Sequence, residues 1–271
     1  MKRLMLMALT GAMLVSASGL ANAGTIETIK ERGKFICGVK DSVVPFGFID
    51  EATSQLVGFD IDMCQAVADK LGVPLELKSV TSATRIPMLT QGSIDLIAAT
   101  MTHQFARDEV IDFSITYFDA GQRLLVKKDG GINSVADLAG KKVASVKGST
   151  SEKNVKAAAP ESTVVSFDEY PQAFLALKQG KVVAVTTDEP ILVGLKNSDP
   201  NPAEWEVVGP FIASEPYALG MAENDSDWRD FVNKTLADMW TTGAYQKAYD
   251  KWFGPETAFY IPLQWNMEVW P

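Results

Sequence analysis

Residues 141–190 read KKVASVKGST SEKNVKAAAP ESTVVSFDEY PQAFLALKQG KVVAVTTDEP, and this stretch decides the fold. Lys142 to Val146 is a short apolar run with strand character, and Glu152 to Ala159 follows as a helix. Thr163 to Phe167 is rich in β-branched residues and reads as a second strand. Pro171 to Gln179 is a helix with proline in its first turn, stopped at Gly180, and Val182 to Thr187 is a third strand. The order β-α-β-α-β implies a parallel sheet with right-handed crossovers.

The same plan occurs once before. Lys34 to Val39 is a strand, and Ile61 to Leu71 is a helix with apolar residues at 61, 64, 67, 68 and 71. Leu75 to Val80 alternates as a strand, Arg85 to Gln91 is a short helix before Gly92, and Ile94 to Ala99 is apolar enough to be buried on both faces. Two parallel sheets predict two lobes. Ligands of open α/β sheets bind beyond the carboxyl ends of strands, here Thr100 to Thr102, Gly148 to Ser151 and Asp188, so a cleft between the lobes is expected. The tail from Asp227 to Phe253 reads as two helices around Gly243, with Trp228, Phe231, Val232, Thr235, Leu236 and Met239 as the buried stripe of the first. Extended crossings are expected near Asp119 to Arg123 and Ser214 to Leu219. They divide the chain into one discontinuous lobe, 24–120 with 214–271, and a second lobe, 121–213.

The first 23 residues have the layout of a secretory signal peptide: Lys2 and Arg3, an apolar stretch from Leu4 to Val15, and small residues ending at Ala23. A retained signal anchor is the alternative. No cysteine follows Ala23, which disfavours a lipid anchor there, and a periplasmic location is expected. Without Lys2 and Arg3 the chain carries 23 basic and 34 acidic side chains, a net charge of −11. Such a surface argues against nucleic acid and anionic membranes as partners. Cys37 and Cys64 are either a disulfide or two small buried hydrophobes. One histidine, His103, and no clustered cysteines make a metal site unexpected.

The segments Gly58-Phe59-Asp60-Ile61-Asp62, Arg85-Ile86-Pro87, Ile111-Asp112-Phe113-Ser114, Ser134-Val135-Ala136-Asp137-Leu138-Ala139-Gly140-Lys141 and Gly148-Ser149-Thr150-Ser151-Glu152 resemble the polar amino-acid solute-binding proteins of bacterial ABC importers. The resemblance runs in order over the whole mature chain. Thr81 to Pro87, Gly121 to Leu125 and Thr186 to Glu189 look most like the glutamate/aspartate-binding branch. The resemblance implies an α/β fold of periplasmic-binding-protein type II, two Rossmann-like lobes around a cleft. It also implies a monomer that delivers a free L-amino acid to the membrane subunits of an importer, without a cofactor and without catalysis.

A free amino acid brings a carboxylate and an ammonium on one carbon, and each must find a partner when a cleft closes over it. By matching position, Arg107 is the bidentate partner of the α-carboxylate, with Thr100 and Thr102 nearby. Spacing alone favours a different reading of Arg107, a surface residue paired with Asp108 or Glu109. Thr150 matches a second carboxylate contact at a helix start that Ser149 and Glu152 would cap as a capping box. Asp188 matches the acceptor of the α-ammonium, and competes with a plain helix N-cap role. Arg85 matches the arginine that holds the distal carboxylate in the acidic branch, with Ser82 beside it. Lys40 stands where that branch carries an arginine and Tyr170 where a histidine can occur, so glutamine or asparagine remains an alternative to glutamate or aspartate. Val43 and Ser82 occupy the places of the aromatic pair that stacks on cationic ligands, which disfavours those. A sensory module would use the same cleft. An enzyme like the cyclohexadienyl dehydratases is the rival of another class; it needs a general acid in the cleft, where only Asp188 is expected.

Overall fold

The computed structural model describes residues 24–269; the expected signal peptide lies outside them. The chain opens with α1 (Thr25–Arg32), β1 (Phe35–Val39), the short strands β2 (Ser42–Val43), β3 (Gly47–Ile49) and β4 (Leu56–Val57), and then α2 (Phe59–Leu71). It continues through β5 (Leu75–Ser79), α3 (Arg85–Thr90), β6 (Leu96–Ala98), α4 (Phe105–Asp108) and the sixteen-residue β7 (Asp112–Lys127). The second half is β8 (Lys142–Val146), α5 (Thr150–Ala158), β9 (Thr163–Phe167), α6 (Tyr170–Lys178), β10 (Ala184–Asp188), α7 (Glu189–Asn197) and β11 (Trp205–Val208). It closes with β12 (Ser214–Met221), α8 (Ser226–Thr241) and α9 (Ala244–Phe253). No described helix is long and apolar enough to cross a membrane.

Both β-α-β-α-β units form. β1 pairs parallel to β5 and β6, and β8 pairs parallel to β9 and β10. The two parallel sets are joined through one antiparallel ribbon, β12 on β7, in the strand order β5-β1-β6-β12-β7-β10-β8-β9. The crossings are therefore longer than the sequence suggested. The segment at Asp119–Arg123 lies inside β7, and Ser214–Leu219 lies inside β12, with Glu215 opposite Ala120 and Tyr217 opposite Phe118. This ribbon joins both lobes, and its pairing register slips between Tyr217 and Ala218 and again between Ala218 and Gly220.

The first lobe's main core packs α2, α8 and α9 over β1 and the ribbon. Phe46, Phe59, Tyr117, Phe118, Trp228, Tyr245 and Phe253 are all fully or almost fully buried there. The expected stripe of α8 is buried at Trp228, Val232, Thr235, Leu236 and Met239, with Phe231 half-buried on its edge. Cys37 of β1 and Cys64 of α2 form a disulfide, with Cα atoms 6.3 Å apart and a sequence separation of 27. Loop closure of that size is worth roughly 3.5 kcal/mol. Replacing both cysteines with alanine is expected to lower urea stability by about 2–4 kcal/mol with the fold retained.

Candidate functional site

Thr100 follows the end of β6 and is held at φ +47, a left-handed conformation that a β-branched residue seldom adopts. Its N–H donates to Asp60 Oδ2 at 2.9 Å and its hydroxyl to the Ala99 carbonyl at 2.8 Å. Asp60 sits in the first turn of α2, where a carboxylate suits the helix dipole, yet it is fully buried and also accepts from Tyr117 Oη at 2.6 Å. Arg85, in the first turn of α3, donates Nη1 to the carbonyls of Ala99 and, at 3.0 Å, Thr100. Its Nε has no hydrogen-bond partner. The Lys40 ammonium is fully buried and unbonded too, with the Glu169 carboxylate 3.5 Å away. Burial, with the Arg85 charge adding to it, brings Lys40 down to about 8 against the pull of Glu169.

Arg107 is 8 % exposed, so the surface reading does not hold. Its Nη1 donates to the Thr102 carbonyl at 2.7 Å and its Nη2 reaches across to the Gly148 carbonyl at 3.3 Å. Asp108 instead pairs with His103 at 2.9 Å, and the His103 ring stacks on Phe113. Burial lowers the Arg107 guanidinium to about 9, and the Arg85 charge adds to this while Glu215 and Asp188 oppose it.

On the opposite wall, Ser149 caps α5: it accepts from Glu152 N–H at 3.1 Å and donates to the Val146 carbonyl at 2.7 Å. The Glu152 carboxylate takes the Gly148 N–H, one residue earlier than a capping box requires. The Ser149 hydroxyl is thus spent on the helix. Thr150 Oγ1 lies 3.4 Å from Thr102 Oγ1, so the two walls touch. Gly148 has φ +75, and a Cβ there would lie within 3.0 Å of Ala83 and Ser82 backbone, which closes the wall on the Ser82 side. Asp188 occupies the N-cap position of α7 without capping it; its carboxylate accepts from Tyr217 Oη and, at 3.3 Å, Ser151 Oγ. Burial pushes Asp188 above the usual carboxylate range, and the Glu215 charge pushes it further. Tyr170 is buried and accepts from the Thr187 hydroxyl at 2.9 Å.

The structure thus gathers Lys40, Arg85, Thr100, Thr102, Arg107, Thr150, Tyr170 and Asp188 into one buried polar cluster where the two walls meet, with the Ser82 backbone against Gly148 at its edge. Besides Asp60, sequence reasoning missed four further neighbours. Glu215 and Tyr217 share one face of β12, Gln122 comes from β7, and Asn154 from α5. The period-two alternation Glu215, Tyr217, Leu219 was the signal that could have found the first two.

Asp60 is pushed up to about 7 by burial, although its hydrogen bonds and the Arg85 and Lys40 charges oppose the rise. A carboxyl raised from 3.8 binds more protons folded than unfolded, so its stabilising share is complete below about pH 4 and is lost as pH climbs through 7. Urea stability measured from pH 4 to 7.5 is expected to fall by roughly 4 kcal/mol more in the wild type than in Asp60→Asn.

The model of the bacterial extracellular solute-binding proteins, family 3, matches residues 35–255. A glutamine-binding protein of Geobacillus stearothermophilus is 46 % identical over 219 residues, 79 % of this chain and 82 % of that protein. An L-glutamate/L-aspartate-binding protein of Pseudomonas aeruginosa is 32 % identical over 256 residues, 89 % and 84 % of the two chains. An ancestral arginine-binding protein solved bound to glutamine superposes with a TM-score of 0.77 at 42 % identity, over 82 % of this chain and 99 % of that one. With its α/β two-lobed architecture of periplasmic-binding-protein type II, this chain belongs to the family 3 bacterial extracellular solute-binding proteins.

Proposed function

We propose that this protein is the periplasmic binding component of an amino-acid ABC importer, not an enzyme, and that it traps a polar amino acid by hinge closure of lobe 24–120 with 214–271 onto lobe 121–213. Arg107 takes the α-carboxylate, with the N-terminal turn of α5 at Thr150 beside it. Asp188 takes the α-ammonium. Lys40, Arg85 and Ser82 meet the end of the side chain. The observation that carries this reading is that a guanidinium from one lobe and a carboxylate from the other reach the same buried cleft.

Glutamine is the ligand this site suits best, ahead of the acidic amino acids that the sequence alone favours. Lys40 already has the Glu169 carboxylate 3.5 Å away, and Arg107 already has Glu215 opposite it, so a neutral side chain asks the site for no further ion pair. The higher identity to a glutamine-binding relative points the same way. Glutamate is the second reading, favoured by the two buried donors without hydrogen bonds, Lys40 Nζ and Arg85 Nε, from which a carboxylate accepts as readily as an amide oxygen does. Arginine or lysine would set a cation against Lys40 and Arg85, which repel it.

Thermal melts of protein stripped of co-purified ligand test this. Glutamine at 100 times its Kd is expected to raise Tm by about 5 °C or more, glutamate by less, and arginine not at all. A larger shift with arginine than with glutamine contradicts the assignment, and no shift with any amino acid contradicts the function.

A further inference from the structure

Glu215 is 1 % exposed and sits on the ribbon strand β12, between the two walls of the cleft. Thr102, after β6, donates its hydroxyl to Glu215 Oε2 at 2.5 Å. Thr150, in the first turn of α5, donates its hydroxyl to the same oxygen at 2.6 Å. Asn154, one turn further along α5, donates Nδ2 to Oε1 at 2.8 Å and is itself tied to Gln122 of β7. One carboxylate therefore collects donors from both lobes and from neither lobe alone.

We propose that Glu215 is the positioning residue that fastens the closed state: a carboxylate carried by the hinge ribbon, satisfied only when the Thr102 wall and the Thr150–Asn154 wall are drawn together around it. This rests on the binding reading above, and it adds a residue that touches neither end of the ligand. Closure strips water from Glu215, and donors must replace that water on each oxygen of a buried carboxylate. The three donors named here do that in the closed arrangement. On opening, α5 swings away with two of them, and water takes their place. Its charge also lies opposite the Arg107 guanidinium, so the fastening and the carboxylate clamp strengthen in the same motion.

Glutamine at 215 keeps the shape but removes the charge: its NH2 can be met only if the Thr102 and Thr150 hydroxyls turn from donating to accepting, so the charge-assisted bonds that draw the two walls together are replaced by weaker neutral ones in the closed form. The test uses the full chain with dyes at Gln91→Cys and Lys181→Cys, one on each lobe and both exposed. In Glu215→Gln, affinity for glutamine and for glutamate is expected to fall by the same factor, about 10- to 100-fold, carried by faster release rather than slower capture. The inter-dye distance lengthens, with and without ligand. Unchanged affinity and distance overturn the proposal. A loss more than about fivefold larger for one ligand than for the other also overturns it, because Glu215 is then a side-chain contact. If the wild type binds no amino acid, the function fails, while the ligand-free distance still decides the fastening: longer in Glu215→Gln supports it, unchanged refutes it. Asn154→Ala keeps the charge and removes one donor. It is expected to weaken both ligands in the same direction by about 3- to 10-fold, and it decides the matter if the Glu215 variant does not fold.

Discussion

Arg107→Ala is expected to weaken binding of every amino acid by at least about 30-fold and up to several thousand-fold, while the protein still folds. Removing one partner of a buried charge pair costs about 2–5 kcal/mol, because the remaining charge stays buried without its partner. Here that remaining charge is the ligand's α-carboxylate, common to all amino acids, so the loss does not depend on the side chain. The fold tolerates the change: apart from the ligand, Arg107 bonds only two carbonyls, those of Thr102 and Gly148, at the rim of the cleft. Arg85→Ala separates the roles. Arg85 lies behind Thr100, against the strand-end carbonyls and near Lys40 and Asp60. Its loss is expected to change which amino acid binds more than whether one binds. Calorimetry of both variants against glutamine, glutamate, asparagine and alanine checks this. Equal losses for all four in both variants contradict the division of labour.

Gly194→Ala is expected to weaken ligand binding by about 10- to 100-fold while leaving the ligand-free protein as stable as the wild type or more so. Gly194 lies in the middle of α7, where alanine is preferred to glycine by about 1 kcal/mol. A Cβ at that position would sit 2.0 Å from the Val44 carbonyl oxygen, in the turn between β2 and β3 of the other lobe. No real Cβ approaches a carbonyl so closely, so the lobes must part by more than an ångström before the side chain fits. The helix gains and the closed state loses. The same face continues as a groove past Val43, Phe174, Ile191 and Leu195, with Ser42, Lys178 and Ser198 also on its walls. Thermal melts give the ligand-free stability, and calorimetry gives the affinity. Wild-type affinity in this variant shows that the Val44 contact is not part of the bound state.

Much of this architecture is legible in the chain. β8 and β9 begin and end at the residues where the apolar runs begin and end, because each run is bounded by charged or turn-forming residues such as Lys141, Lys147 and Asp168. Ser149 reads as a cap and is one. The ribbon was less legible. β7 and β12 run on past the crossings because each pairs with the other, a contact between residues about a hundred apart that local patterning does not report. The little three-stranded sheet of β2, β3 and β4 escaped for a different reason: two- and three-residue strands have too few residues to show a period.

The site divides along the same line. Residues expected at strand ends, such as Thr102, Thr150 and Asp188, lie in one buried polar cluster because chain direction brings strand ends together. Asp60, Glu215 and Asn154 were not expected there, because nothing local distinguishes a buried carboxylate or amide from a solvated one. Asp60 reads as an ordinary first-turn acid of α2. Its burial comes from Tyr117 and Thr100, 57 and 40 residues away. Arg107 shows the converse. Its neighbours Asp108 and Glu109 suggest surface pairs, and only the fold reveals that Asp108 is taken by His103 and that the guanidinium turns inward.

A crystal structure of the protein grown with glutamine tests the central claim most directly. The account predicts one amino acid enclosed between the lobes, its carboxylate within about 3.2 Å of the Arg107 guanidinium and its ammonium within the same distance of Asp188. Glutamine bound in any other place, or in the cleft with its two ends exchanged, contradicts it.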